Sequence, residues 1–255
     1  MFYFNDMDFS ALFQKVKRKL LKMRFRPIRV FVFHQVSETF DPETMVQNDW
    51  TELGKFKAAI LKLKMEYEFI SLKEAEHKIA TDHFRRKNYA VLTSDDGWQS
   101  LLNIVPWLIE QKIPVTLFVN PAYFDGKAYR TYKTERYLSE GELKNLVDLS
   151  KGLVTIGLHG WEHTDVIQLN EMDFRSDVTK SFDVLSKIPN FVPYFAFTWG
   201  HYNEMALSVC SDFHLIPIFT SGNKNYNDPL KIDRDCIDGI TFSDNGFSTN
   251  YTVCL

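Results

Sequence analysis

Residues 153–163 read LVTIGLHGWEH. Six residues suited to a buried strand run without a break into His159, and His163 follows four positions later. An unbroken apolar run rich in β-branched residues marks a strand covered on both faces, as in a parallel sheet. Gly157 and Gly160 bracket the first histidine and argue against a long helix beginning there. The two imidazoles are therefore expected where a buried parallel strand ends. In a β/α barrel that end is the mouth, where catalytic groups collect.

The rest of the chain repeats the pattern. IRVFVFHQV at 28–36 is a strand bounded by Pro27, 52–66 has helical periodicity, and EFISL at 68–72 reads as a short strand. AVLTS at 90–94 is a strand, 98–111 a helix despite Pro106, PVTLFV at 114–119 a strand and 139–149 a helix. After the strand 153–158 come a helix at 171–187, the strand YFAFT at 194–198, a short helix, and late strands at 215–220 and 239–242. Apolar strands alternating with amphipathic helices define an α/β fold with a parallel sheet buried on both sides, and this many units favour a closed or nearly closed barrel. A length of 255 residues suits such a domain.

A second motif passes the same test of position. Thr93-Ser94-Asp95-Asp96-Gly97 follows the strand AVLTS directly. Adjacent carboxylates repel, and a nearby cation relieves that repulsion. A solvated turn capping the next helix is the plainer alternative, since Asp-Gly is turn chemistry. His159 and His163 with one aspartate would make a His2Asp set, the kind that holds zinc with a position left for water. HGWEH also matches the H-x-x-E-H peptidase signature, which requires a helix and Glu162 facing the metal. That reading leaves Asp95 and Asp96 unexplained, whereas a barrel brings both motifs to one mouth. PYFAFTWG at 193–200 supplies a third strand end, where a backbone N–H could hold an oxyanion.

The formal charge of −3 gives no general attraction to nucleic acid. Eight of the 30 Lys and Arg lie between Lys15 and Arg29, leaving 22 bases against 33 acids and a body at −11. Phe9, Leu12, Phe13, Val16, Leu20 and Met23 recur at helical spacing over 8–25, so residues 1–27 are expected to form a basic amphipathic arm on a barrel domain of 28–255. Packing on the domain is the plainer role for that helix; peripheral contact of 8–29 with anionic lipid is the functional one. Cys210, Cys236 and Cys254 are widely spaced, so free thiols in a reducing compartment are expected. No secretory signal or stretch of 18 apolar residues is present. The cytoplasm is the expected location, with its membrane surface as the narrower alternative.

Taken in order, these segments resemble the polysaccharide deacetylase family, carbohydrate esterase family 4 with its nodulation-protein-B-homology domain. TSDDG at 93–97 is similar to the family's T-F-D-D-G, HGWEH at 159–163 to its H-x-x-x-H segment, and FAFTWG at 195–200 to F-A-Y-P-Y-G. FVFHQVSE at 31–38 and EFISLKE at 68–74 extend the resemblance, which spans roughly 28–245. It implies a distorted (β/α)7 barrel that removes acetyl groups from an N-acetylated glycan or glycan precursor. It further implies Asp95 as general base, Asp96, His159 and His163 as ligands of a divalent metal such as zinc, and the Trp199 backbone N–H as an oxyanion donor. Several features depart from the pattern. Ser94 replaces Phe, and Thr198-Trp199 replaces Pro-Tyr. The family's arginine beside the base has no match in FAFTWG, leaving Arg234 in KIDRD as a candidate. The late L-x-H with the general acid is missing; His214 precedes a strand and is expected to be structural, while His34 at a strand end is the candidate acid. These departures also admit a non-catalytic glycan-binding relative.

Overall fold

In a computed structural model of the chain, the structure describes residues 26–42, 45, 49–82, 85–124, 136–220, 232–239, 241–243 and 246–248. The expected basic helix at 8–25 lies outside the described residues. Among the described residues no helix is long and apolar enough to cross a membrane.

The strands and helices alternate as the pattern requires. β1 (Arg29–Phe33), β2 (Gln35–Ser37) and β3 (Trp50–Glu52) lead into α1 (Leu53–Glu66), β4 (Glu68–Phe69) and α2 (Leu72–Thr81). β5 (Tyr89–Ser94), α3 (Leu101–Glu110), β6 (Val115–Val119), α4 (Glu140–Ser150) and β7 (Val154–Leu158) follow. Next come α5 (Glu171–Leu185), β8 (Phe191–Ala196), α6 (Glu204–Asp212), β9 (Ile216–Phe219), β10 (Ile232–Asp233) and β11 (Asp235–Cys236). A short antiparallel hairpin, β12 (Thr241–Ser243) with β13 (Gly246–Ser248), lies off the main sheet.

The main sheet runs β10-β9-β8-β7-β6-β5-β1-β11, every pairing parallel, with β4 added beside β5. Its two ends are successive pieces of one stretch. Ile232 and Asp233 pair with Ile218 and Phe219, and Asp235 and Cys236 pair with Phe31 and Val32. Residues 232–236 thus cross from β9 to β1 and close the sheet into a barrel. The staves are β1, β5, β6, β7, β8, β9 and this split strand, which is the expected seven-stave distorted barrel.

Two buried clusters separate the faces of the sheet. Phe31, Phe33, Leu92, Leu117, Ile156 and Leu158 pack outward against α1, α3, α4 and α5. Val30, Val91, Phe118, Tyr194, Ile218 and Ile232 fill the barrel interior, with Leu72, Ala75 and Ile79 of α2 packed against them. Gly157 is required inside: a Cβ there would meet the Phe118 ring at 2.5 Å. α2 was not anticipated, although Ser71 and Glu74 form a capping box at its start.

Two sequence expectations are corrected. The strand expected at 239–242 is no stave; Thr241–Ser243 belongs to the hairpin. The true last stave contains Asp233, Arg234, Asp235 and Cys236: Arg234 and Cys236 turn towards the mouth, while Asp235 lies beside Phe31 on the outer face and pairs with Arg29. The strand expected at 28–36 is broken at His34, after which Gln35–Ser37 pairs with Trp50–Glu52 instead.

Candidate active site

Four strand ends meet at the C-terminal mouth. β5 delivers Asp95 and Asp96, β7 delivers His159, β8 runs into Thr198-Trp199-Gly200, and β1 ends at His34. Asp95 and Asp96 are both buried, at 4% and 7% exposure, so the plainer reading of a solvated turn does not hold. Asp96 has a left-handed backbone with φ 70°, as do His163 at 56° and Trp199 at 58°. Non-glycine residues rarely adopt this region, and such strain collects at functional sites.

Asp96, His159 and His163 converge on a point. Asp96 Oδ1 lies 3.2 Å from His159 Nε2 and 3.1 Å from His163 Nε2. The surroundings assign the atoms. His159 Nδ1 lies 2.8 Å from the Ala196 carbonyl, to which it must donate, so Nε2 carries the lone pair. Asp96 Oδ2 accepts from Trp98 Nε1–H at 2.8 Å, leaving Oδ1 buried without a hydrogen bond. An orphaned carboxylate oxygen beside a ring nitrogen lone pair is unfavourable unless a cation lies between them. The three ligand atoms lie within 4.8 Å of one another, and a divalent ion fits this donor set.

Supports from several directions fix these ligands. The Trp98 ring stacks on Tyr137 at 4.4 Å, and Tyr137 stacks on Tyr123 at 4.4 Å. Tyr123 Oη–H donates to the Glu162 carbonyl at 2.8 Å, so one aromatic column braces both motifs. The Asn120 side-chain amide donates to the carbonyls of His159 and Gly160. Asp177 on α5 accepts the Trp161 N–H at 2.9 Å. Residues 159–165 contain no helix, and Glu162 is exposed, so the geometry required by the peptidase reading is absent.

Asp95 faces the other way. Arg234 grips it with both guanidinium nitrogens, Nη1 to Oδ1 at 2.6 Å and Nη2 to Oδ2 at 2.7 Å. Arg234 also donates to Thr220 and Thr93 and lies 5.3 Å from the Phe118 ring centroid. Burial pushes the Asp95 carboxyl up, yet Arg234 beside it holds the pKa below its ordinary value. The arginine that the sequence flagged only as a candidate thus reaches Asp95 from the seam of the barrel. Asp95 Oδ2 lies 4.0 Å from His159 Nε2, next to the metal-type cluster but outside it.

His34 is held by Asp238, a residue that the sequence reading did not single out. His34 Nδ1 lies 2.6 Å from Asp238 Oδ2, and the His34 backbone N–H donates to Oδ1 at 3.0 Å. Burial alone would push this imidazole down; Asp238 raises it well above the ordinary 6.5. The signal for Asp238 was weak, an aspartate in a turn before Gly239. Trp199 is 41% exposed, and its ring centroid lies 5.2 Å from that of His163. His214 is exposed in the turn before β9, away from the mouth, as expected for a structural residue.

A carboxylate pair and a histidine pair gathered at the C-terminal mouth place the chain among β/α barrels with a carboxylate–imidazole site. The family follows from sequence comparison: the polysaccharide deacetylase profile matches residues 83–216, just over half the chain. The chain belongs to the polysaccharide deacetylase family. Searched by sequence, the curated proteins yield no match. Solved structures share the fold. The Streptococcus pyogenes deacetylase PplD, solved with acetate, aligns with a TM-score of 0.70 at 19% identity over 83% of this chain and 92% of PplD. IcaB from Ammonifex degensii aligns with a TM-score of 0.69 at 20% identity over 83% of this chain and 92% of IcaB. BA0330 from Bacillus anthracis, assigned as a polysaccharide deacetylase, gives 0.67 at 17% identity over 83% of this chain, which spans 65% of BA0330.

Proposed function

We propose that this protein is a metal-dependent deacetylase that hydrolyses the acetamide of an N-acetylated sugar or glycan. The observation that carries this reading is the convergence of Asp96 Oδ1 with two imidazole Nε2 atoms beside a separately held carboxylate, Asp95. A divalent cation held by Asp96, His159 and His163, zinc being suited to that set, would polarise the acetyl carbonyl and lower the pKa of the attacking water.

The remaining roles belong to the chain. Asp95, kept ionised and oriented by Arg234, accepts the proton of the attacking water. The Trp199 backbone N–H faces the developing oxyanion, in a turn whose left-handed geometry exists to aim it. His34, fixed by Asp238, gives its Nε2 proton to the leaving amine. The non-catalytic reading rests on the missing acid and the altered FAFTWG; His34 held by Asp238 at the mouth counts against the first of these grounds. The exposed indole of Trp199 offers a flat face for a sugar ring.

Asp95→Asn tests the assignment against a panel of N-acetylated oligosaccharides. Acetate release should fall by at least about 10²-fold, the lower range for a lost general base, with metal content unchanged by mass spectrometry. His159→Ala should lose acetate release together with the metal held by Asp96, His159 and His163. Activity retained in Asp95→Asn would remove Asp95 from the reaction.

A further inference from the structure

The acid side of the mouth contains one group that a proton donor does not need. β1 and the split stave run in register, Val32 opposite Cys236, which sets His34 opposite Asp238 two residues on. Cys236 ends the split stave, and Asp238 lies in the turn two residues on, with the two side chains in contact. Its Sγ lies 3.1 Å from Asp238 Oδ2, the oxygen that also contacts His34 Nδ1 at 2.6 Å. An imidazole nitrogen, a thiol sulfur and a carboxylate oxygen thus lie within 4.8 Å of one another, in a cluster that shares no residue with Asp96, His159 and His163.

The geometry points to a second cation site, in which His34 Nδ1, Cys236 Sγ and Asp238 Oδ2 bind a thiophilic divalent ion such as zinc and silence the proton donor. Nitrogen, sulfur and one carboxylate oxygen form a set that borderline-soft ions prefer, and three protein ligands leave a fourth place for water. Zinc bond lengths set such donor atoms about 3.3–3.8 Å apart, so the cluster need open by only about an ångström. Asp238 is buried and anchored through Oδ1, while His34 and Cys236 are half-buried and reachable from the mouth. Binding displaces the protons on Nδ1 and Sγ, and no electrons move. The ion takes both Nδ1 and the Asp238 oxygen, so it breaks the 2.6 Å contact that fixes His34 as the proton donor. The binding site stands apart from the proposed reaction; only its inhibitory consequence rests on the role of His34.

Cobalt(II) and zinc(II) titrations of the full chain test this, in wild type, Cys236→Ser, Cys236→Ala and His159→Ala. The wild type should bind two equivalents and each variant one. A thiolate-to-cobalt charge-transfer band should appear in wild type and in His159→Ala, and be absent from both Cys236 variants. A single equivalent in wild type without that band, or a band that survives in Cys236→Ser, overturns the site. The second equivalent of zinc should lower wild-type acetate release about 10²-fold or more, as loss of a general acid requires, and leave each Cys236 variant near its own one-equivalent rate. Inhibition that persists in the Cys236 variants also overturns it. Absence of acetate release from every protein would instead count against the deacetylase reading, with the binding titrations still deciding the site.

Discussion

Replacing Arg234 with Gln isolates what the barrel seam contributes to the base. Asp95 and Arg234 have side chains 5% and 1% exposed, so neither charge can turn to water when the other is removed. Breaking a buried pair from one side costs about 3–5 kcal/mol. The forked contact at 2.6 and 2.7 Å, with further bonds to Thr220 and Thr93, places this pair at the upper end. Arg234→Lys keeps the charge but cannot fork, and should recover only part of the loss. The pH dependence has a definite sign. In the wild type Asp95 titrates below its ordinary 3.8, so its contribution to stability is present above that value and lost as pH falls through the folded pKa. Without Arg234 burial is opposed only by His159 and His34, and the carboxyl titrates higher. The stability difference between the proteins should therefore be large at pH 7 and shrink below about pH 4. The acid limb of kcat/KM should move up by at least about one pH unit, equivalent to 1.36 kcal/mol. Urea unfolding and pH–rate profiles measure both effects, and Asp95→Asn combined with Arg234→Gln should regain much of the lost stability. A variant within about 1 kcal/mol of wild type at pH 7, with its acid limb in place, would show that Arg234 merely fills the seam.

Trp98→Phe keeps an aromatic ring against Tyr137 but removes the N–H that occupies Asp96 Oδ2; metal affinity should fall about 10–100-fold, measured by competition with a chromophoric chelator, and unchanged affinity would refute the positioning role. Asp177 is pushed by burial to about 6 from its ordinary 3.8, with Oδ1 buried and unpartnered. A raised carboxyl contributes stability that is complete below pH 3.8 and lost as pH rises through about 6, at most about 3 kcal/mol at 1.36 kcal/mol per unit. Asp177→Asn in chelator-treated protein should therefore stabilise the fold at pH 7–8 and change little near pH 4; a pH-independent difference would refute this.

How far the sequence reaches can be judged residue by residue. TSDDG and HGWEH were legible because each follows a continuous apolar strand, and a strand end fixes where a side chain emerges. Position alone drew attention to His34 and kept His214 out of the site. Arg234 could be flagged but not placed. A stave reading Ile-Asp-Arg-Asp-Cys resembles a loop, since sequence pattern assumes an apolar interior and this strand faces a polar mouth. α2 was missed for a similar reason, its capping signal following a short strand too closely to be read as a separate element.

The sequence by itself determined the alternation of strand and helix, hence the parallel barrel, and the residue types that bring carboxylates and imidazoles to its mouth. Those follow from short-range patterns: apolar period, glycine placement and the chemistry of neighbours in the chain. Only the tertiary structure decided the partners. It put Arg234 on Asp95, 139 residues away, and Asp238 on His34, 204 residues away. Both contacts exist because the stretch 232–236 crosses the seam between β9 and β1, and ring closure is a property of the whole sheet that no local pattern encodes.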